Sequence, residues 1–356
     1  MTSIPSKTLE VSSGITYMYF YSRAARADLP TLLFLHGFPS TAADFRPQLE
    51  HFAARGCGVL APDLLGYGGT SKPTDPGAYT WRAMAGHIAA LLDAEGLVAG
   101  GDGGTAPVVV GIGHDLGSWF LSRLCHLLRP PARLAGLAFL CVGYVPPGGG
   151  RFDVKAINRA SAAASADGEE RFRYWDFFTS DEAPALMGRE TEAAVSLMHA
   201  APPGLMAANL GPRGRAREWV AAGRVAPAHS FGGGGGGDDD DDGDGDERSS
   251  QNAYFREKVA AFRAGGWTGP TNWYRALRDN LSLGDEEGMA RELEAPVLVV
   301  GCGRDEMTAA GLQDEMTRPW ARAGYRFEVL DAGHWVMLED AAGTNRLLEE
   351  FVDGLS

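Results

Sequence analysis

The sequence predicts an α/β fold, in which a mostly parallel sheet forms the core and a mostly helical region is inserted into it. Three features of the 356-residue chain carry this prediction. Short apolar segments recur along the chain, helical patterns lie between several of them, and in one central stretch the short segments stop. Hydrophobic residues at 45% and charged residues at 22% are ordinary for a globular protein. This composition excludes a chain that is disordered over its whole length.

The apolar segments are four to six residues long and continuous rather than alternating, as expected of strands covered on both faces. They lie at residues 31–35, 58–61, 108–112, 137–142, 297–300 and 325–330. Strands that alternate with helices form parallel βαβ units, and the ligands of such sheets bind at the carboxyl ends of the strands. We therefore look for functional residues just after these segments.

Between Pro147 and Ala295 the strand rhythm gives way to helical composition with interspersed aromatic residues. We predict a core of residues 1–147 and 295–356 and a helical cap of residues 148–294. Within the cap, six consecutive glycines are followed by five consecutive aspartates, a composition that cannot bury apolar area. We predict a disordered insert at about 231–250.

The formal net charge of −14 is concentrated in that insert. Its eight acidic residues and Arg248 account for half of the charge, and the rest of the chain carries −7. This moderate acidity, without a basic patch, disfavours nucleic acid and anionic membranes as partners. Since no window offers 18 uninterrupted apolar residues and no signal sequence is recognisable, we expect no membrane span and a cytoplasmic location.

The four cysteines show no C-x-x-C spacing, and most lie in or beside apolar segments. We expect buried free thiols at Cys57, Cys125, Cys141 and Cys302.

The strongest motif is Gly113-His114-Asp115-Leu116-Gly117, which follows the apolar segment 108–112 and precedes a helical stretch. Glycines two residues to each side of the central residue allow a sharp strand-to-helix turn that exposes its side chain. A serine there would suit attack on an acyl carbon. The carboxylate of Asp115 suits attack on a tetrahedral carbon with a leaving group, giving an alkyl ester. The alternative is an aspartate that only caps the helix.

Partners for Asp115 follow in the order nucleophile, acid, base that is typical of this turn. Asp305 lies just after segment 297–300, with Glu306 as the alternative acid, and His334 lies just after segment 325–330. Water must attack the ester carbonyl, which requires a general base. We predict that His334, oriented by Asp305, is this base.

An oxyanion hole is predicted near the end of the apolar segment 31–35. The sequence His36-Gly37-Phe38-Pro39 forms a glycine turn there, and the backbone N–H groups of Phe38 and Leu116 can point at the carboxylate of Asp115.

Four segments together resemble the motif set of the epoxide hydrolases in the α/β-hydrolase superfamily, and the resemblance covers nearly the whole chain except the insert. They are His36-Gly37-Phe38-Pro39, Gly113-His114-Asp115, Asn272-Trp273-Tyr274-Arg275 and Ala332-Gly333-His334-Trp335. In this family two cap tyrosines hold the epoxide oxygen, and the resemblance implies that Tyr174 and Tyr274 do so here. Phenol O–H groups suit this task because the opened ring leaves a basic alkoxide. Leu116 departs from the tryptophan often found there, which puts substrate preference in doubt.

The resemblance implies an enzyme that converts a small-molecule epoxide to a vicinal diol through an ester on Asp115. It implies no metal and no organic cofactor, and it leaves a homodimer open. The alternatives are a haloalkane or haloacetate dehalogenase, with Trp119 and Trp175 as the candidate halide donors, and a non-catalytic binding protein on the same fold.

Overall fold

An eight-stranded sheet forms the centre of the protein, whose computed structural model describes residues 4–98, 108–128, 134–164, 168–230 and 245–355. The strands are Ser6–Ser12 (β1), Ile15–Ser22 (β2), Thr31–Leu35 (β3), Gly58–Pro62 (β4), Val109–His114 (β5), Gly136–Leu140 (β6), Val297–Cys302 (β7) and Tyr325–Leu330 (β8). Their order is β1-β2-β4-β3-β5-β6-β7-β8. The strands from β4 to β8 in this order pair in parallel, and β1 and β2 join antiparallel.

The predicted α/β fold is confirmed, and each of the six predicted segments overlaps a strand of the sheet. Strands β3 to β7 are buried along their full length, which explains their continuous apolar sequences. The prediction did not include β1 and β2. In β2 only alternate residues are buried, among them Tyr17, Tyr19 and Tyr21.

The helices of the core flank the sheet segments in sequence and pack beside them. They are Arg46–Ala54 (α1), Trp81–Ala94 (α2), Leu116–Leu127 (α3), Ala310–Thr317 (α12), Val336–Glu339 (α13) and Ala341–Asp353 (α14). Because β5 lies in the middle of the sheet between β3 and β6, the turn from β5 to α3 lies among the carboxyl ends of several parallel strands.

Eight helices occupy the described part of the chain between β6 and β7. They are Val154–Ala164 (α4), Tyr174–Phe178 (α5), Ala183–Arg189 (α6), Thr191–Met198 (α7), Leu205–Leu210 (α8), Arg215–Ala221 (α9), Gly245–Gly265 (α10) and Thr268–Arg278 (α11). Of the insert predicted at about 231–250, residues 231–244 lie outside the described residues, and the backbone of 245–250 belongs to α10. No helix within the described ranges has the length and apolar character needed to span a lipid bilayer.

The expectation of four free thiols is wrong for two cysteines. Cys141 and Cys302 form a disulfide with their Cα atoms 5.5 Å apart, whereas Cys57 and Cys125 are free. The two bonded residues are 161 positions apart in sequence. They meet because β6 and β7 are parallel neighbours that end side by side.

A buried ion pair connects the helical insertion to the core. Lys258 on α10 contacts the carboxylate of Asp44, and both side chains are almost fully inaccessible to solvent. Ser40 and Tyr254 also donate hydrogen bonds of 2.5 Å to this carboxylate. Three donors compensate a buried charge that would otherwise be costly. Ser40 and Asp44 of this cluster lie on the segment that follows Phe38, and Tyr254 and Lys258 lie on α10.

Candidate active site

The turn between β5 and α3 carries Asp115 in a strained backbone conformation, with a φ of 53°. The flanking glycines are required by close packing. A Cβ atom at Gly113 would lie 2.6 Å from the Cα of Ser118, and one at Gly117 would lie 2.0 Å from the carbonyl oxygen of Leu35. The sequence of this turn therefore fits a backbone that presents Asp115 at the carboxyl end of β5.

Backbone N–H groups hold one side of the Asp115 carboxylate. The N–H of Phe38 donates a 2.8 Å hydrogen bond to Oδ1, and the N–H of Leu116 also donates to the carboxylate. Both donors predicted for an oxyanion hole are thus directed at Asp115. Burial raises the pKa of Asp115 above its ordinary value, although these donors and nearby His334 favour the anion.

His334 lies between the two carboxylates that the sequence analysis singled out. Its Nδ1 is 2.7 Å from Oδ2 of Asp305, and its Nε2 is 3.9 Å from Oδ2 of Asp115. The alternative acid, Glu306, is exposed and accepts a hydrogen bond from the backbone of Gly204. Asp305 is the acid next to the imidazole.

The charges of this group depend on one another. Burial disfavours the imidazolium form, but the carboxylates of Asp305 and Asp115 outweigh it and raise the pKa of His334 to about 9. Burial also opposes the charge of Asp305, yet hydrogen bonds and the charge of His334 hold the pKa of that carboxyl below its ordinary value. In the unliganded protein, His334 is therefore a cation between two carboxylates at neutral pH.

Thr308 is a functional candidate that the sequence analysis missed. Its hydroxyl donates to Oδ2 of Asp305, the oxygen that also faces His334, and the N–H groups of Met307 and Thr308 bind Oδ1 at 2.8 and 3.2 Å. The carboxylate is fixed in position by four donors. A threonine three residues after the predicted acid was the available signal, because Asp side chains commonly accept from the next residues of a turn.

Tyr174 on α5 and Tyr274 on α11 come together from distant parts of the helical insertion. Their ring centroids are 6.0 Å apart and the rings are nearly perpendicular. Burial raises the pKa of each phenol, and the charge of Asp115 raises both further. Both side chains therefore keep their protons at neutral pH and can act as hydrogen-bond donors.

The candidate nucleophile, the candidate base and the two phenols line one cavity of about 40 Å³. Its polar lining includes Asp115, His334, Tyr174, Tyr274 and Thr308. The rest of the lining is mainly apolar, consisting of Phe38, Phe172, Phe178, Met198, Met206, Leu210, Met307 and Trp335. We call this space the inner cavity. The apolar side chains come from helices and from loops of both the core and the insertion, and their contacts cannot be read from local sequence patterns.

A group of three side chains within the described residues has donor atoms close enough to hold a metal ion: His114, Cys141 and His334. Two of them already have other partners, because Cys141 forms a disulfide with Cys302 and His334 is hydrogen-bonded to Asp305. The donor chemistry therefore fits a hydrogen-bonded base better than a metal site.

Residues 32–347 match the alpha/beta hydrolase family, and this range includes the candidate nucleophile, acid and base. The chain belongs to this family. The likeness of this α/β-hydrolase to known proteins extends over nearly the whole chain. Epoxide hydrolase srdG of Neurospora crassa is 28% identical over 96% of this chain and 93% of its own length. Epoxide hydrolase A of Mycobacterium tuberculosis is 27% identical over 99% and 98%.

A solved structure shows the same likeness in three dimensions. Epoxide hydrolase A of Mycobacterium thermoresistibile superimposes with a TM-score of 0.74 at 25% identity, and 99% of each chain is covered. The resemblance that the sequence motifs indicated is therefore confirmed, since the relatives that match across this α/β-hydrolase are epoxide hydrolases.

Proposed function

We propose that this α/β-hydrolase is an epoxide hydrolase that forms a covalent ester on Asp115 and releases a vicinal diol. The observation that carries the proposal is the convergence of a carboxylate, an imidazole and two phenols on the inner cavity. The full-length similarity to epoxide hydrolases supports it.

In the first step, Oδ2 of Asp115 attacks an epoxide carbon. The other oxygen, Oδ1, is held by the N–H of Phe38, so we assign the attack to Oδ2, which faces His334. The carbon–oxygen bond of the ring breaks, and its electron pair moves to the ring oxygen. Tyr174 and Tyr274 donate hydrogen bonds to that oxygen and stabilise the developing alkoxide. One phenol gives its proton to the alkoxide and regains a proton, through solvent, from the imidazolium of His334, which leaves the imidazole neutral.

In the second step, His334 takes a proton from water, and the oxygen of this water attacks the Cγ atom of the ester. Forming the ester removes the negative charge of Asp115, which is one of the causes that raise the pKa of His334. The first step thereby makes His334 a better base for the second. The N–H groups of Phe38 and Leu116 stabilise the oxyanion. When it collapses, the bond between Cγ and the ester oxygen breaks, that oxygen takes the proton held by His334, and the diol is released. The proton of the added hydroxyl then passes from Asp115 to His334, which restores the carboxylate and the imidazolium.

The contacts of Trp119 argue against a dehalogenase. A halide site needs donors beside the attacked carbon, and Leu116 supplies no side-chain donor. Trp119 lines a different cavity from the one that contains Asp115. The two phenols of the inner cavity suit an alkoxide, which needs a proton, better than a halide, which does not.

A single turnover of styrene oxide in oxygen-18 water tests the proposal. Because the hydrolytic water attacks Cγ, we expect oxygen-18 in the peptide that contains Asp115 and unlabelled oxygen in the first diol formed. Mass spectrometry of the digested protein and of the diol measures both. Asp115→Asn is the control and should form no diol in this first turnover. Label in the diol alone would contradict the covalent mechanism, and halide release from a bromoalkane without diol formation from any epoxide would favour the dehalogenase.

A further inference from the structure

The inner cavity is small for a site that acts on an organic substrate. At about 40 Å³ it has room for only a few water-sized groups, each of which needs roughly 10–15 Å³. The epoxide ring and short substituents fill this volume. A larger substrate must extend into other space.

A second and larger cavity, which we call the outer cavity, lies at the boundary between the helical insertion and the core. Its volume is about 290 Å³, near the lower end of typical ligand pockets. Its walls include the aromatic rings of Trp81, Trp119 and Phe152 and the aliphatic side chains of Leu277 and Leu283. These walls suit an apolar ligand.

The buried polar groups of the outer cavity favour a neutral ligand, and its other charged residues, Arg151 and Asp153, are exposed to solvent. Arg123 is buried at one end, where Glu286 pairs with its Nε at 2.6 Å and the carbonyl of Val145 accepts from its Nη1. The charge of the guanidinium is thus already compensated. The indole N–H of Trp119 is buried and has no hydrogen-bond partner among the described residues. An oxygen acceptor on a ligand would satisfy it.

One face of α3 leads from the candidate nucleophile to the outer cavity. Asp115 immediately precedes the helix, and its carbonyl accepts a hydrogen bond from the N–H of Trp119. Trp119 and Arg123 are four residues apart and share a face of α3. At 1.5 Å per residue the two positions lie about 6 and 12 Å along the axis from Asp115. A substituent about 12 Å long, extending along α3 from an epoxide at Asp115, would pass Trp119.

Aromatic rings close this route in the unliganded protein. Phe152 packs between Trp119 and Trp175, with ring centroids 5.3 and 4.8 Å away, and Trp175 packs on Tyr274 at 4.6 Å. Asn280 fixes the backbone of Phe152 through both its N–H and its carbonyl. The half-buried ring of Phe152 can therefore move by side-chain rotation without displacement of its main chain.

We propose that the outer cavity binds the remote arm of an elongated, neutral epoxide, which enters past Phe152 and lies across Trp119. This inference rests on the proposed epoxide hydrolysis. The substrate class is an epoxide that carries an aryl or medium-length alkyl substituent, and Phe152 and Trp119 determine the length that is accepted.

Filling the outer cavity from its solvent side tests the inference. Ala156 is an exposed residue of α4 that lines this cavity, and none of the candidate catalytic groups is on α4. Ala156→Trp should lower kcat/KM for 1,2-epoxyoctane about tenfold or more, because each methylene denied burial costs roughly fourfold in affinity. The value for 1,2-epoxybutane should stay within about twofold. Lys155→Trp adds the same ring to the exposed neighbour that does not line the cavity, and it should change neither value.

Calorimetric binding to Asp115→Asn separates this inference from the proposed function, because this variant cannot form the ester. We expect 1,2-epoxyoctane to bind at least about tenfold more tightly than 1,2-epoxybutane, and we expect Ala156→Trp added to Asp115→Asn to remove the difference. An advantage of the longer epoxide that survives Ala156→Trp would overturn the role of the outer cavity. If the wild type converts neither epoxide, the proposed function fails, while the binding comparison still decides the use of the cavity.

Discussion

Removing the hydroxyl of Tyr274 tests the role of the paired phenols in ring opening. Tyr274→Phe keeps the shape of a side chain that is only 3% exposed, so the surrounding packing with Phe38, Trp175 and Phe178 should persist. A hydrogen bond to a charged group contributes about 1.5–3 kcal/mol. One lost donor should therefore slow alkylation of Asp115 by roughly 10- to 150-fold. With Tyr174→Phe added, the alkoxide has no donor, and the loss should reach at least about 10³-fold.

The assay must separate the two chemical steps. Rapid-quench single turnovers of styrene oxide, followed by mass spectrometry of the intact protein, measure formation and decay of the ester. We expect Tyr274→Phe to slow formation and to leave decay unchanged, because in the proposed mechanism the phenols contact the ring oxygen and the second step occurs at Cγ of Asp115.

Tyr67→Phe is the matched control. Tyr67 is also buried, its ring packs on His36, and its hydroxyl has no partner within the described part of the chain. Removing this hydroxyl should leave both rates within about twofold and should not lower the melting temperature, because no hydrogen bond is lost. Equal rates of ester formation in the wild type and in Tyr274→Phe would refute the role assigned to Tyr274.

Three further predictions follow from the geometry of the site. Asp305→Asn should let the ester form but slow its hydrolysis by roughly 10⁴-fold, so that intact-protein mass spectra show an accumulating adduct; an adduct that decays at the wild-type rate would exclude Asp305 as the orienting acid. Ester hydrolysis should become faster as the pH rises through the pKa of His334, which in the ester should lie below its free-enzyme value of about 9, because the base must be neutral. Ester formation should instead fail at acid pH, because Asp115, whose pKa is raised, takes up a proton. Stopped-flow tryptophan fluorescence between pH 5 and 10 follows both steps. If neither rate depended on pH, the link between these steps and the protonation of His334 and Asp115 would be contradicted. Gly117→Ala should lower the free energy of unfolding by at least about 1–3 kcal/mol, because the added methyl group would overlap the carbonyl of Leu35. Gly86→Ala is the control, since this glycine lies in a helix with open space around it, and it should be neutral or slightly stabilising in thermal melts. Equal melting temperatures for the two variants would contradict the packing argument.

Most of the strands that the sequence predicts are ones in which consecutive residues are buried. Strands β3 and β7 read as unbroken apolar segments because both of their faces are covered. Strand β2 is buried only at alternate residues, and its sequence of tyrosines with polar neighbours gave no comparable signal. The disulfide depends on which strands are neighbours, and the spacing of Cys141 and Cys302 along the chain does not contain that information.

The residues of the site also differ in whether the local sequence reveals them. Asp115, Asp305 and His334 could be singled out because each follows a strand of a parallel sheet, and such strands end at one edge. The approach of Tyr174 to Tyr274 could be inferred only from the resemblance to a family, since α5 and α11 are nearly one hundred residues apart. The outer cavity could not be inferred at all, because its lining comes from α2, α3, α4, α11 and the loops between them.

The disulfide between Cys141 and Cys302 encloses the entire helical insertion in a covalent ring. The chain leaves the core just after Cys141 and returns just before Cys302, so α4 to α11 all lie within the 161-residue separation of the two cysteines. Local unfolding of these helices therefore cannot pull β6 away from β7. Asp305, three residues beyond the bond, is thereby tied through β7 to the end of β6, so movement of the helical insertion does not by itself displace it from His334. In the proposed mechanism, the bond keeps movement of the helical insertion, which admits the substrate, from disturbing Asp305 and His334, which hydrolyse the ester.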